Sequence, residues 1–148
     1  MSASNRAIVQ RLFNEGLNKC DLHVLYELCV DCVYHLPLVG ELRGESLMKF
    51  FAYLSAAFPD THRTVEEQLT DDYQTVVTRW TATGTHQGEF MGIAPTGKRV
   101  TITGISIHRF AHGKIVEEWQ EWDSLGLMQQ LGVVPVLQKF KATARINR

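Results

Sequence analysis

Gly84 to Gly132, GTHQGEFMGIAPTGKRVTITGISIHRFAHGKIVEEWQEWDSLGLMQQLG, is the stretch on which the fold turns. Arg99 to Phe110 and Ile115 to Trp122 alternate with a period of two around Ala111-His112-Gly113, the pattern of two antiparallel strands joined by a tight turn. After Asp123-Ser124 the period changes, and Leu125, Leu127, Met128 and Leu131 predict a short helix capped by Asp123-Ser124. The second strand carries Glu117, Glu118, Gln120, Glu121 and Asp123 among Val116, Trp119 and Trp122. Strands ordinarily avoid acids, so some of these carboxylates are expected to have a task.

Turn geometry predicts which side chains share a face. A three-residue Ala111-His112-Gly113 loop with a left-handed glycine bulge sets Phe110 opposite Lys114, Ser106 opposite Glu118 and Gly104 opposite Gln120. One face then holds Gly104, Ser106, His108, Glu118, Gln120 and Trp122. The other holds Ile105, Ile107, Arg109, Ile115, Glu117, Trp119 and Glu121. A two-residue His112-Gly113 turn would shift the register by one and spoil this pairing. The small polar face fits a ligand pocket and a wet outer surface equally well.

Working outward, Ser4 or Asn5 can cap a helix with Ile8, Val9, Leu12, Phe13 and Leu17 on one stripe, and Asp21 can cap a second with Leu22, Leu25 and Leu28. Val33 to Leu36 reads as a short strand stopped by Pro37. Gly44-Glu45-Ser46 opens a third helix through Leu47, Phe50, Phe51, Leu54 and Phe58, ended by Phe58-Pro59-Asp60. His62 to Leu69 and Tyr73 to Thr83 complete the strands. Helices followed by a run of antiparallel strands predict an α+β layer fold, with helices on one face of a bent sheet.

At 148 residues and 45% hydrophobic content, the chain fits a single domain, 1–148, with its own core. A net charge of -1 does not advertise nucleic acid as a partner, and no apolar run approaches the roughly 18 residues of a membrane span. With no signal-peptide pattern at the start, the expectation is a soluble, cytoplasmic protein without nucleic-acid or membrane partners. Residues 136–148, with Lys139, Lys141, Arg145 and Arg148 and no acids, read as a solvated or frayed end. Cys29-Val-Asp-Cys32 has C-x-x-C spacing but closes a helical pattern instead of opening one, so buried thiols are expected there. The six histidines show no ligand spacing, so no metal site is expected.

The ordered phrases Phe58-Pro59-Asp60-Thr-His62, Arg79-Trp80-Thr81, Gly84-Thr85-His86, Gly88-Glu89-Phe90, Pro95-Thr96-Gly97, Gly113-Lys114-Ile115 and Gln130-Leu131-Gly132 resemble the SnoaL-like polyketide cyclase (ester cyclase) family across nearly the whole chain. The resemblance implies the cone-like α+β barrel shared with nuclear transport factor and scytalone dehydratase. In that fold a curved sheet wraps around the N-terminal helices and encloses an apolar pocket, usually in a homodimer or homotetramer. It implies intramolecular aldol ring closure of an apolar, polyketide-like carbonyl compound without metal or cofactor. Aligned through Gly113-Lys114-Ile115, the His and Asp that such cyclases keep on this strand fall at Glu118 and Gln120. Glutamine cannot take a proton, so the family's aspartate mechanism does not transfer. The resemblance favours the pocket reading of the hairpin's polar face.

Three readings follow: a cyclase or enolising isomerase with Glu118 as base, assisted by Gln120 and His108; a non-catalytic small-molecule binding protein; and an epoxide-hydrolase-like enzyme on the same fold. The last needs an Asp-Arg-Asp set, in which Arg79 could serve but Thr81 stands two residues on. Ser106, Arg79, His35, His86, Trp122 and Asp123 are the expected ligand contacts. For Arg79 two roles stay open, clamping an anionic ligand or enolate, and pairing with a hairpin acid. The apolar face with Ile105, Ile107 and Trp119 is expected to be hidden by a partner subunit or by the tail.

Overall fold

The structure is a computed structural model and describes residues 4–71 and 73–141. Helix α1 (Asn5–Arg11) begins where the Ser4 hydroxyl accepts the Ala7 N–H. It runs on into a wider π-helical stretch, Leu12–Leu17, closed by the Asn18 N–H on the Phe13 carbonyl. The extra residue in this turn keeps Leu12 and Phe13 pointing into the core while Gly16 lies against Leu25 of the next helix. Helix α2 (Leu22–Cys29) starts at Asp21, whose carboxylate accepts the N–H groups of His23 and Val24. Helix α3 (Gly44–Ala57) buries Leu47 and Phe51.

Six strands form one open, curved sheet in the order β2-β1-β6-β5-β4-β3, with β1 at Val33–Leu36, β2 at Gly40–Arg43, β3 at His62–Thr70, β4 at Thr75–Thr85, β5 at Arg99–Ala111 and β6 at Lys114–Trp122. Helix α4 (Ser124–Leu131) follows β6 and packs Leu127 and Leu131 against the end of the sheet. Neighbouring strands are antiparallel except β1 and β6, which run parallel. The expected α+β class and the helices on the concave side are as read; the strand β2 between Pro37 and Gly44 was not, being only four residues long with little alternation.

The β5–β6 turn corrects one sequence expectation and rescues its consequence. His112 and Gly113 alone form the loop, both with positive φ (51° and 73°), so Ala111 pairs with Lys114 and Phe110 with Ile115. Such a two-residue turn matches the twist of the flanking strands. On its own it would have inverted the faces. A bulge then leaves Val116 unpaired and sets Arg109 opposite Glu117, which restores the parity. The inward set Gly104, Ser106, His108, Glu118, Gln120 and Trp122 therefore stands, but slid by two residues: His108 faces Glu118, Ser106 faces Gln120 and Gly104 faces Trp122. Ile115, expected on the outer face, precedes the bulge and is buried.

The main core gathers Val9, Leu12, Phe13, Leu25, Cys29, Cys32 and Tyr34 against Val76, Trp80 and Phe110. Each fully buried large apolar side chain contributes about 1.5–3 kcal/mol relative to exposure. Val136, Leu137 and Phe140 of the tail are exposed, while Arg145 and Arg148 lie outside the described residues.

Candidate functional site

Cross-strand rows organise the concave face. Tyr34 on β1, Glu118 on β6, His108 on β5 and Val76 on β4 stand side by side. The next row is Gln120, Ser106 and Thr78, and the one after it Trp122, Gly104, Trp80 and Val65. Ile102, Ala82 and Arg63 form the last. Above the latter rows, between the sheet and the helices, lies a cavity of about 220 Å³. Its walls are mainly apolar, with Leu17, Leu25, Phe51, Leu54, Phe58 and Phe90 facing Trp80, Ile102 and Trp122; Arg63, Gln120, Cys20, Ser55, Thr61 and Thr83 supply the polar groups. Among the described residues no Asp or Glu reaches the wall.

Glu118 faces inward and is 2% exposed, the only buried carboxylate among the described residues. It lies behind the wall. Gln120, which does line the cavity, places its side-chain nitrogen 3.4 and 3.5 Å from the two Glu118 oxygens and 3.5 Å from the Ser106 hydroxyl. On the other side His108 Nε2 is 3.3 Å from Glu118 Oε2. That contact has ion-pair distance but not hydrogen-bond geometry, and both ring nitrogens of buried His108 are without a hydrogen-bond partner among the described residues. Burial pushes the Tyr34 phenol far above its ordinary range, with the Cys29 thiol and the Glu118 charge adding to the effect.

Trp80 organises the centre of the floor. Its indole N–H donates to Ser106 Oγ at 3.0 Å, and Gly104 leaves the room its six-membered ring occupies. Arg63 lies over the same ring, with Cζ 5.9 Å from the centroid. Burial pulls the Arg63 guanidinium below its ordinary range, opposed by the charges of Tyr34, Glu118 and Cys20.

Of the expected contacts, Gln120 and Trp122 line the cavity. Ser106 and His108 are buried behind it. Four others are corrected. Arg79 points outward because β4 alternates and Trp80 takes the inner position; it pairs with Glu67 on β3 at 3.4 Å, not with a hairpin acid. His35 is likewise outward on β1, stacked on Trp119 at 5.1 Å and 2.6 Å from Glu117. His86 is buried against Phe58, where Nδ1 accepts the Thr96 N–H at 3.1 Å and so fixes the Pro95-Thr96-Gly97 loop. Asp123 caps α4 through the Gly126 N–H at 2.8 Å and is exposed. Arg63 was missed. The clue was its parity with Val65, which puts a cation in the apolar register of a strand. Among the described residues no three His, Cys, Asp or Glu side chains cluster as a metal site, and no helix is long and apolar enough to cross a membrane.

The family model for the SnoaL-like polyketide cyclases matches residues 7–131, and the chain belongs to that family. Solved structures agree in fold and in most of their length. AclR from Streptomyces galilaeus, provisionally named a hydroxylase, is 31% identical with a TM-score of 0.79, over 90% of this chain and 88% of that one. IdmH from Streptomyces antibioticus, provisionally named a polyketide cyclase, is 33% identical with a TM-score of 0.74, over 86% and 98%. A SnoaL-like protein from Jannaschia, again provisionally named a cyclase, is 26% identical with a TM-score of 0.79, over 90% and 95%. No curated protein matches the chain.

Proposed function

We propose that this protein takes an apolar carbonyl compound into the cavity and closes a ring in it, with Glu118 as the base. The Glu118 carboxylate removes a proton from the carbon next to a carbonyl, and the electron pair moves onto that carbonyl oxygen as an enolate. The enolate carbon then attacks a second carbonyl carbon of the same molecule. A carbon–carbon bond forms, the second carbonyl becomes an alkoxide, and the proton held by Glu118 passes to it. Every atom and electron is accounted for without a cofactor. Gln120, already at the wall, donates a hydrogen bond to the enolate oxygen, and turning its amide aside opens Glu118 to the ligand. His108 is a positioning residue that holds Glu118 from behind.

One observation carries this reading: the one buried carboxylate among the described residues stands on the concave face, 3.4 Å from the side chain of Gln120, which lines an apolar cavity. Glu118→Gln tests it. Turnover of a polyketide-like carbonyl substrate should fall by roughly two to four orders of magnitude while affinity changes little. Unchanged turnover would end the assignment.

A second reading, a non-catalytic binding protein, is favoured by the wall itself, which among the described residues presents a glutamine and no acid. It requires tight ligand binding with no product formed by the wild-type chain. The epoxide-hydrolase-like reading loses ground, since Arg79 is outside and among the described residues no Asp lines the cavity.

A further inference from the structure

Arg63 is a cation set into an apolar wall with no anion to meet it. Among the described residues no carboxylate forms an ion pair with its guanidinium and no side chain accepts a hydrogen bond from it; its recorded partner is the face of Trp80. Glu118 is near enough for its charge to be felt but makes no contact. Arg63 is half-buried on the cavity wall, and its guanidinium offers five N–H donors there.

The chain nevertheless goes to some length to hold this residue. β3 is an edge strand, and Arg63 uses its inner side to pair with Ala82. On its open side the Asn18 side chain takes both backbone groups, accepting the Arg63 N–H at 2.7 Å and donating to the Arg63 carbonyl at 2.9 Å. Asn18 ends the π-helical stretch, so the helix layer holds the edge strand through both backbone groups of Arg63. Trp80 supports the guanidinium, and Trp80 is itself fixed by Ser106 and seated on Gly104. A side chain held at backbone, ring and cavity wall, with its donors left free, has the form of a preorganised anion receptor.

We propose that Arg63 anchors an organic anion, so that the natural ligand is an apolar body carrying a carboxylate or an equally delocalised oxyanion, not a fully esterified neutral molecule. This rests on the reading of the cavity as a ligand site and narrows its substrate class. The planar guanidinium fork suits two oxygens in one plane, and the apolar remainder faces Phe51, Phe58 and Trp122.

A matched pair of probes tests it: naphthalene carboxylate and its methyl ester, each titrated by calorimetry and by quenching of tryptophan fluorescence. The wild-type protein should prefer the carboxylate by about tenfold or more, the worth of a charge-assisted hydrogen bond. Arg63→Met should abolish or reverse that preference, and Arg63→Lys should keep part of it. Equal or tighter binding of the ester to the wild-type protein overturns the proposal without recourse to any variant, as does failure of either probe to bind. Persistence of the preference in Arg63→Met also overturns it. The base assignment is read separately. Glu118→Gln should keep or widen the carboxylate preference while stopping turnover, so loss of one result leaves the other standing.

Discussion

Trp80 stands directly opposite Gly104 across β4 and β5, and a Cβ on residue 104 would lie 2.2 Å from the indole ring. The pair is a fit of largest side chain to none. Gly104→Ala should force Trp80 off its hydrogen bond to Ser106 and cost about 1–3 kcal/mol, the usual range for overpacking a core. Urea denaturation followed by tryptophan fluorescence measures it. Arg63 should lose its support in the same variant, so the carboxylate preference should weaken as well.

His108 and Glu118 form the buried pair of the site. Removing the imidazole leaves a carboxylate in a dry interior without its close neighbour. His108→Leu is expected to destabilise the fold by about 1–3 kcal/mol and to lower turnover. His108→Gln should recover part of both losses. Equal stability of all three proteins would show that the contact has no energetic weight.

Asp60, in the turn after α3, accepts the Thr85 hydroxyl at 2.7 Å and the Thr85 N–H at 2.6 Å, with Arg99 at 3.6 Å. These partners, the Thr85 hydroxyl first, hold its carboxyl below the usual range. A depressed folded value means the contribution is fully present above the unfolded value of about 4 and is lost as pH falls through the folded one. The stability gap between wild type and Asp60→Asn should therefore be widest near neutral pH and close under acid conditions. Urea midpoints taken across a pH series provide the check, and a gap that widens toward acid would contradict it.

The three cysteines should separate by reactivity. Burial pushes the Cys29 thiol up to about 12 and Cys32 higher still, and both are fully buried. Cys20 is half-buried and lines the cavity. Alkylation of the native protein near pH 8 should label one site, identified as Cys20 by mass spectrometry, and ligand should slow it. Rapid labelling at Cys29 or Cys32, or stoichiometric zinc bound between them, would count against buried, inert thiols.

On the convex face, Leu69, Val77, Ile107, Trp119 and His35 line up across five strands. Leu69 and Ile107 are 61% and 36% exposed. We propose that a second copy covers this stripe, giving a homodimer or a larger closed assembly. Light scattering at micromolar concentration should report at least twice the monomer mass, and Ile107→Glu should reduce it. A clean wild-type monomer would refute the assignment.

Periodicity alone was enough to read the α+β class, the three N-terminal helices, the hairpin and its inward set of Ser106, His108, Glu118 and Gln120, because burial on one side of an element repeats every 3.6 or two residues. The family was legible too, in phrases spread along the chain. What sequence could not supply was everything that depends on a slip of one residue or on which strand comes to lie alongside another. The hairpin closed on two residues and a bulge at Val116 corrected the faces; two opposite departures that cancel leave no trace in an alternating pattern. Arg79 looked like the buried cation because its neighbours were apolar, yet Trp80 took the inner place and Arg63, seventeen positions earlier than Trp80, was brought over its ring by the pairing of β3 with β4. The row of Tyr34, Glu118 and His108 likewise exists only because β1 docks parallel to β6. Local period fixes which way a side chain points; only the packed sheet decides what it meets.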